Sequence, residues 1–543
     1  MTHSAVSGWR WSVLAWGFSL IILIPIGVIL SAWITPEWAV WRHLVDTLLG
    51  ELLFHTLLLL IGVTMWVLIL GVGLAWLTAM CRFPGQRFFD WALILPLAMP
   101  AYVLAFSMLG FLDYGSPLQG WLAHQFGPNG YWFPDTRSPA MVVFLFSLSL
   151  YPYVYMLARA AFLGQGQRML EASRMLGRSP WGAFFHAALP MARPAIAAGC
   201  ALAVMEALAD FGAVSVLGFN TFTTAIYKAW FGLFNLTAAT QLASLLLLFV
   251  AVAVTVEQQM RGRARYFSTD GHAPSRDRIR LRGLPALLAT GLASLVFLLA
   301  FALPVGQLLV WAWSRLDLDL DGRFRDLALH TILLGTGAAL LATLAALFLG
   351  MVRKRRAGER ATRLALHLAT LGYALPGSVL AVGVMLTLVW LGKGVDGVFG
   401  TATSGVSTGL SGGILALLFA YLVRFLAVAM GPVESGLERI RPSLAEAAHG
   451  LGSSSWEVMR RVYLPMLRPG LLTAILLVFV EVMKEMPATL LLRPFGWDTL
   501  AVRIYEMTSE GEWERAALPA IVLVLVGLLP VILLVRKTGR SGG

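Results

Sequence analysis

The sequence predicts an all-α membrane protein with about twelve transmembrane helices, arranged as two parallel six-helix repeats. Hydrophobic residues make up 58% of the 543 residues and charged residues only 13%, whereas soluble domains are roughly half apolar and about a quarter charged. Apolar runs of about 20 residues, the length that crosses a bilayer, recur along the chain. The composition therefore excludes a set of soluble domains, a disordered chain and, with two cysteines, a secreted disulfide scaffold.

Hydropathy places six candidate spans in each half of the chain. The spans of the first half are Trp11–Trp33, Leu52–Met80, Trp91–Leu112, Pro139–Phe162, Ala195–Leu217 and Thr237–Val256. Those of the second half are Leu284–Trp313, Leu329–Val352, Leu364–Leu391, Gly412–Met430, Gly470–Leu492 and Ala516–Val535. The first apolar run is too long for a signal peptide and no small-residue cleavage site follows it, so we expect a permanent helix.

The distribution of basic residues predicts that the N-terminus and the C-terminus are both cytoplasmic. With twelve spans, the segments on one side hold 29 of the 41 Lys and Arg residues, counting Arg159 at the end of its span, and those on the other side hold ten, while Arg424 and Lys484 lie deeper within spans. Lys and Arg concentrate in cytoplasmic loops. The net charge of +12 is thus explained by topology, and we expect no nucleic-acid partner.

The two halves of the chain are copies of each other at a spacing of 275 residues. Glu171-Ala-Ser-Arg-Met-Leu-Gly177 recurs as Glu446-Ala-Ala-His-Gly-Leu-Gly452, and His55-Thr56 recurs as His330-Thr331. An even number of spans gives both copies the same orientation, which implies a pseudo-two-fold axis along the membrane normal. We assign residues 1–256 to the first repeat, 257–283 to a basic cytoplasmic linker able to contact anionic lipid, and 284–543 to the second repeat.

Each copy of the Glu-Ala motif lies in a predicted cytoplasmic loop between the fourth and fifth spans, at about residues 163–194 and 431–469. Gly177 suits the left-handed position that ends a helix, and Ser454 with Glu457 matches the Ser-x-x-Glu capping box that starts one. Leu-Pro at 189–190 and 464–465 is expected to end the second short helix before the chain re-enters the membrane. The resulting helix–turn–helix either lies on the lipid surface or docks on a symmetric cytoplasmic partner, and its repetition favours docking.

The motif resembles the EAA loop of binding-protein-dependent ABC importer permeases. In both copies a Gly follows the Glu by six residues, and Leu-Pro follows that Gly by twelve and thirteen residues. Ser173 stands where a third small residue often sits. The resemblance implies a type I permease-like fold with coupling helices that seat in two copies of a cytoplasmic ATP-binding subunit, and a periplasmic or extracellular substrate-binding protein. It assigns ATPase coupling to Glu171, Ala172, Gly177, Leu189, Pro190, Glu446, Ala447, Gly452, Leu464 and Pro465.

Further segments resemble the ferric-iron permeases, which are fused twelve-helix proteins fed by a periplasmic iron-binding protein. They are Ala209–Ser215, Asn220–Tyr227, Lys484–Phe495 and Asp498–Tyr505. The resemblance implies ferric-iron transport across a bacterial inner (plasma) membrane by alternating access. Thiamine, phosphonate and polyamine permeases share the EAA loop, so these cargoes remain alternatives.

Ionisable residues inside predicted spans are costly and often functional. Glu206 and Asp210 are four residues apart, which would place them on one face of a helix. Glu481 and Glu485 repeat this spacing, with Lys484 beside them and Arg424 in a neighbouring span. The carboxylates either line a cation pathway or form interhelical ion pairs, and we favour the ion pairs.

The chain contains no Walker A sequence and no His-Glu-x-x-His motif. We therefore expect no catalytic residue, metal site or cofactor in it, and place ATP hydrolysis in separate subunits. Gly405-Val-Ser-Thr-Gly409 matches a nucleophile elbow by letter only, because it lies in a Gly/Ser/Thr-rich loop.

The functional class that competes with an ATP-driven importer is a secondary transporter driven by an ion gradient, with the intramembrane carboxylates as coupling sites. Four prolines within spans would permit bends: Pro96, Pro100, Pro152 and Pro376.

Overall fold

The structure is a computed structural model, and nearly all of the residues that it describes are helical. It describes residues 2–34, 36, 38–113, 116–127, 133, 135–165, 175, 180–262, 278–356, 359–399 and 413–540. The Gly405–Gly409 loop and most of the predicted linker lie outside these residues.

The first half of the chain contains twelve helices and one short strand within the described residues. They are α1 (Thr2–Ser31), α2 (Trp38–Leu44), α3 (Gly50–Met80), β1 (Cys81–Arg82), α4 (Gln86–Ala92), α5 (Ala101–Leu112), α6 (Pro117–Phe126), α7 (Pro139–Gln165), α8 (Pro180–Ala183), α9 (Leu189–Ala209), α10 (Gly212–Val216), α11 (Phe222–Tyr227) and α12 (Leu236–Gly262).

The second half contains one short strand and twelve α-helices within the described residues. Its elements are β2 (Ile279–Arg280), α13 (Leu284–Phe297), α14 (Leu303–Asp319), α15 (Gly322–Arg355), α16 (Arg360–Ala369), α17 (Gly377–Phe399), α18 (Ile414–Glu438), α19 (Pro442–Gly450), α20 (Ser455–Val458), α21 (Leu464–Lys484), α22 (Pro487–Leu492), α23 (Leu500–Ser509) and α24 (Trp513–Arg540).

Within the described residues, ten helices are long and apolar enough to cross a membrane, or up to twelve if each of two bent pairs counts as one span. The bent pairs join residues 86–98 to α5 at 96° and residues 360–374 to α17 at 115°. The breaks fall at Pro100 and Pro376, because proline lacks a donor and forces the preceding residue out of the helical conformation. The spans predicted over Trp91–Leu112 and Leu364–Leu391 thus correspond to bent pairs, with the bends at two of the prolines that the sequence offers for them. Pro152, in contrast, stays inside the continuous helix α7.

The chain forms two compact units, and each unit draws on both halves of the sequence. One unit comprises Met1–Trp41, Ile226–Leu245 and Leu320–Arg503, and the other comprises Arg42–Ala225, Leu246–Asp319 and Ile504–Gly543. Helix α1 thus belongs to the unit that contains α15 to α22, and helices α13 and α14 belong to the unit that contains α3 to α10. The boundaries of the repeats and the linker are defined by sequence similarity and stay predictions.

In the first of these units, small residues let α1 lie against α16 and α17. The Ser19 hydroxyl donates to the Ala365 carbonyl at 2.7 Å, and a Cβ atom at Gly383 would lie 2.7 Å from the Pro25 carbonyl oxygen.

In the same unit, the Ser12 and Thr362 hydroxyls donate to the carboxylate of Glu359, and these hydrogen bonds lower the pKa of that carboxyl. Because the folded pKa is lowered, this stabilisation is present above the ordinary carboxyl range and is lost as the pH falls through the lowered pKa.

In the other unit, a two-residue parallel pairing joins β1 to β2, with Cys81 opposite Ile279. Beside it, Asp90 forms ion pairs with Arg159 at 3.1 Å and Arg278 at 4.0 Å. The strand pairing and the ion pair to Arg278 therefore fix the end of the linker sequence to the segment between α3 and α4.

Burial raises the pKa of the Cys81 thiol to about 11, so the thiol is protonated at neutral pH.

We expect Gly470→Ala to destabilise the protein. A Cβ atom at Gly470, on α21, would lie 2.8 Å from the Pro432 carbonyl oxygen of α18, and overpacking against backbone costs about 1–3 kcal/mol. Thermal unfolding in detergent measures the effect. The matched control is Gly431→Ala on the exposed side of α18, where a Cβ atom would meet nothing within 4 Å and helix propensity improves. Equal melting temperatures for the two variants would contradict the close packing.

Candidate functional site

The second copy of the Glu-Ala motif forms a compact helix–turn–helix, which we call the second EAA segment (residues 442–465). It consists of α19, a turn, α20, a π-helical turn over Met459–Tyr463 and the start of α21. Glu446 and Ala447 lie on α19 and are exposed. In the first copy, Glu171, Ala172 and Gly177 lie outside the described residues, and the description resumes at α8.

Glycine ends α19 by adopting a backbone conformation that other residues avoid. Gly452 has φ of +86°. Its amide donates to the His449 carbonyl at 2.9 Å, and the Ser453 amide donates to the Ala448 carbonyl at 3.0 Å. This pair of bonds is the Schellman motif, which satisfies the last carbonyls of a helix and requires a left-handed residue. The chain direction after α19 is thus set by local hydrogen bonds.

The helix that follows starts at the predicted capping box, which the structure confirms. The Glu457 amide donates to the Ser454 hydroxyl at 3.3 Å, and the Ser454 amide donates to the Glu457 carboxylate at 2.9 Å. Both orphan donors at this helix start are therefore satisfied without help from the rest of the protein.

The second EAA segment presents apolar side chains to its surroundings. Leu451 is 88% exposed and Trp456 is 70% exposed, whereas Val458 is buried against the protein. Exposed large apolar side chains such as these are available for contact with another protein or a membrane.

The expectation that Leu-Pro ends the short helix is wrong. Leu464 has φ of −59° and ψ of −45°, and Leu189 in the first copy has φ of −63° and ψ of −46°, so both are helical. In each copy a five-residue π turn lies immediately before the Leu-Pro pair. Since Pro465 and Pro190 cannot donate and their rings would crowd the preceding turn, the wider π turn lets the helix continue into the long helix that follows.

The intramembrane charges of the second repeat meet at two helix breaks. Helix α21 ends at Lys484, and Glu485 is extended with ψ of 113°. The Glu485 carboxylate lies 3.2 Å from Arg424 Nε and accepts from the Ala488 amide at 3.0 Å, at the start of α22. Arg424 also donates to the carbonyl of Leu375, at the other break, at 3.2 Å. Glu485 therefore caps a short helix while its charge is paired.

Three residues that the sequence reasoning missed complete this network. The Tyr421 hydroxyl lies 2.6 Å from the Thr489 hydroxyl, which donates to the Glu485 carbonyl at 2.7 Å. Gly377 leaves the space that the pair occupies, because a Cβ atom there would collide with the Glu485 carboxylate and lie 2.9 Å from the guanidinium of Arg424. Gly377 directly follows Pro376, which recurs as Pro100 when Ala374-Leu-Pro-Gly377 is matched to Ala98-Met-Pro-Ala101, and this recurrence was the available signal.

The first repeat has the same cap, with a serine at the position of the arginine. Asp210 follows the end of α9, and its carboxylate accepts from the Ala213 and Val214 amides at 2.9 and 3.2 Å, at the start of α10. At the 275-residue spacing, the position that matches Arg424 holds Ser149, which is buried. The same helix-capping geometry thus occurs in both repeats with different charge compensation.

The prediction that Glu206 and Asp210 share one helical face is wrong, because α9 ends at Ala209. The same holds for Glu481 and Glu485, since α21 ends at Lys484. Glu206, Glu481 and Lys484 are partly buried near these helix ends. Within the described residues, no three His, Cys, Asp or Glu side chains are grouped closely enough to hold a metal ion.

A repeated histidine is a further feature that the sequence reasoning used only as a marker of duplication. The His55 ring stacks on Phe219 with centroids 4.2 Å apart, and the His330 ring stacks on Trp497 at 4.6 Å. The neighbouring Thr331 hydroxyl accepts from the Leu500 amide at 2.9 Å. In each repeat, the helix that carries the His-Thr pair (α3 or α15) therefore contacts the segment that follows the short helix α10 or α22.

Comparison with known proteins identifies the family. The model of the family "Binding-protein-dependent transport system inner membrane component" matches residues 67–261 and again residues 338–538. The chain belongs to this family. The double match confirms the duplication and the helical membrane fold predicted from the sequence, and the chain is a multi-pass permease rather than an enzyme.

Three relatives of the permease are informative. It is 29% identical to the Fe(3+)-transport system permease protein FbpB 2 of Haemophilus influenzae over 90% of both chains. It is 25% identical to the ferric transport system permease protein FbpB of Actinobacillus pleuropneumoniae over 81% of this chain and 64% of that one. It is 35% identical to PhnV of Salmonella typhimurium, named for 2-aminoethylphosphonate transport, over 24% of this chain and 50% of that one.

We expect Gly452→Ala to open the turn of the second EAA segment of the permease. A left-handed conformation costs an alanine about 1–2 kcal/mol, so the Ser453 amide should exchange with deuterium about tenfold faster. Gly450→Ala is the control, since Gly450 is the last helical residue of α19 and a Cβ atom there meets nothing within 4 Å. Unchanged exchange in Gly452→Ala would contradict the role of the glycine.

We expect Arg424→Met to destabilise the permease strongly. Removing one partner of a buried ion pair costs about 3–5 kcal/mol, because the other charge stays buried and unpaired. The double variant Arg424→Met/Glu485→Gln should recover most of the melting temperature, since the introduced amide oxygen can still accept at the helix start. Arg353→Met is the control, because Arg353 is 52% exposed and its pair with Glu434 should contribute about 1 kcal/mol or less. A double variant no more stable than Arg424→Met would refute this explanation.

Proposed function

We propose that the permease carries ferric iron across the bacterial inner membrane by alternating access, as the membrane component of an ATP-driven importer. The observation that supports ferric iron as the cargo is the extent of the resemblance. Two relatives named for ferric transport align with 90% and 81% of this chain. The relative named for 2-aminoethylphosphonate transport aligns with 24% of it.

Two copies of a cytoplasmic ATP-binding subunit are the proposed partners of the EAA segments, one copy for each segment. The second segment supports this proposal through its rigid turn at Gly452 and its exposed Leu451 and Trp456. Glu446 and Ala447 lie on the preceding helix, and Leu464 and Pro465 lie where the segment continues into α21. We assign the same role in the first repeat to Glu171, Ala172, Gly177, Leu189 and Pro190. ATP hydrolysis then occurs in the partner subunits.

The proposed orientation places both termini and both EAA segments in the cytoplasm. Its support is the 29-to-ten division of basic residues between the two sides. On the opposite side we propose that a periplasmic or extracellular substrate-binding protein delivers the cargo. We further propose that the basic linker contacts anionic lipid.

For the intramembrane charges, we propose an ion-pair role at Arg424 and Glu485. The support is their separation of 3.2 Å and the helix cap that Glu485 forms. Asp210 caps a helix, and Ser149 stands at the position that matches Arg424. Asp210, Glu206 and Glu481 keep the alternative role of lining a cation path, and Lys484 keeps the role of an ion-pair partner.

Uptake by cells that lack the permease gene tests the cargo. We expect ferric-iron uptake to require the permease, whereas uptake of thiamine and of 2-aminoethylphosphonate should not. Because 2-aminoethylphosphonate is the cargo named for one relative, it is the second candidate. Iron uptake that is independent of the permease would overturn the cargo assignment. Transport by the purified chain without any ATP-binding subunit would instead favour a secondary transporter.

A further inference from the structure

A single lysine connects helix α15 to both ends of the second EAA segment. Lys354 lies in the last turn of α15, and its ammonium donates to the carbonyls of Leu437 at 2.8 Å and Ile440 at 2.7 Å. Leu437 is in the last turn of α18, and Ile440 lies two residues before α19. The same ammonium lies 5.0 Å from the centroid of the Tyr463 ring, at the residue before α21.

The chemistry of these contacts explains why a lysine suits the position. The last four carbonyls of a helix have no partner within the helix, and a cation there gains hydrogen bonds and a favourable interaction with the helix dipole. Leu437 and Ile440 are buried, being 4% and 2% exposed, so water cannot readily replace the lysine. The ring of Tyr463 adds an attraction for the cation.

The helices joined by Lys354 are packed too closely to slide independently. A Cβ atom at Gly350, on α15, would lie 2.7 Å from a methyl group of Leu437. A Cβ atom at Gly436, on α18, would lie 2.9 Å from a methyl group of Leu467 on α21. Arg353, next to Lys354, forms an ion pair with Glu434 of α18. Close-packed interiors transmit displacement, so a movement of either end of the EAA segment reaches α15.

The first repeat anchors the corresponding helices without a lysine. At the 275-residue spacing, Ala79 and Ala188 replace Lys354 and Tyr463. There the Trp76 ring packs against Phe162 and Phe184, with centroids 5.5 and 4.7 Å away. The lysine contact is therefore a property of the second repeat and is not a requirement of the shared fold.

We propose that Lys354 is a positioning residue that transmits movement of the second EAA segment to helix α15, and so couples ATP hydrolysis in the partner subunit to transport. This inference rests on the proposed function, because it requires an ATP-binding subunit on the EAA segment. In this proposal, the Lys354 side chain provides in the second repeat the mechanical connection that aromatic packing around Trp76 provides in the first repeat.

The test measures iron imported per ATP hydrolysed by the whole importer in proteoliposomes, with the ATP-binding subunits and the binding protein present. Lys354→Met should lower this ratio about tenfold, because it removes two charge-assisted hydrogen bonds, while the complex stays assembled and continues to hydrolyse ATP. Lys354→Arg should restore most of the ratio. Arg355→Gln is the control, since it removes the same charge one residue away and Arg355 contacts the Trp11 ring of α1 at 4.6 Å.

A second pair of variants keeps the test valid if Lys354→Met fails to fold. Tyr463→Leu removes the ring and should lower the ratio, whereas Tyr463→Phe keeps the ring and should retain a clearly higher ratio than Tyr463→Leu. A wild-type ratio in both Lys354→Met and Tyr463→Leu would overturn the inference. A proportional fall of uptake and hydrolysis, together with loss of bound ATP-binding subunits, would overturn it too, since it would show a purely structural role.

The wild-type importer separates this inference from the proposed function. If the wild type imports thiamine or 2-aminoethylphosphonate instead of iron, the cargo assignment is wrong and the ratio is measured with that cargo. If the wild type imports none of the three when ATP is supplied, the proposed function is wrong and the role of Lys354 falls with it.

Discussion

The requirement that every backbone polar group find a partner inside the membrane governs this structure. Helices are broken after Ala98, Ala209, Ala374 and Lys484. Arg424 serves two of these breaks, since it donates to the Leu375 carbonyl and pairs with Glu485. Glu485 in turn accepts from the helix that starts after the second break. Without this pair, orphaned backbone groups and an uncompensated charge would face a medium that solvates neither. The broken helices of the second repeat therefore depend on one buried ion pair.

The two repeats share a backbone plan and satisfy it with different chemistry. Asp210 and Glu485 both cap the short helix after a break, although the arginine that pairs with Glu485 is replaced by Ser149 at the matching position of the first repeat. At the EAA segments, an aromatic cluster in one repeat replaces the Lys354 contact of the other. Duplicated sequences can diverge in this way because helix ends require satisfied donors and acceptors and do not prescribe which side chain satisfies them. In a fused chain, each half can then specialise.

The EAA segment shows how a short sequence fixes a rigid shape by local interactions. Gly452 ends one helix and Ser454 starts the next, with every bond formed between residues at most five apart. Such a segment keeps its conformation when a partner pushes on it, because its shape does not depend on distant contacts. What it moves depends instead on its attachments, which are Lys354 and the continuous helix through Leu464.

The sequence by itself determined the helical membrane fold, the duplication and the capping box at Ser454, because these depend on apolar run length, on recurrence at 275 residues and on contacts within a few residues of the chain. It also identified Asp210, Arg424 and Glu485 as ionisable residues within predicted spans. Only the tertiary structure decided where the long helices break. Because α9 ends at Ala209, Glu206 lies within that helix and Asp210 lies beyond its end. It alone selected Glu485 as the partner of Arg424 and brought Lys354 to Ile440. Those pairings join residues 61 and 86 positions apart, and helical periodicity carries no information over such distances.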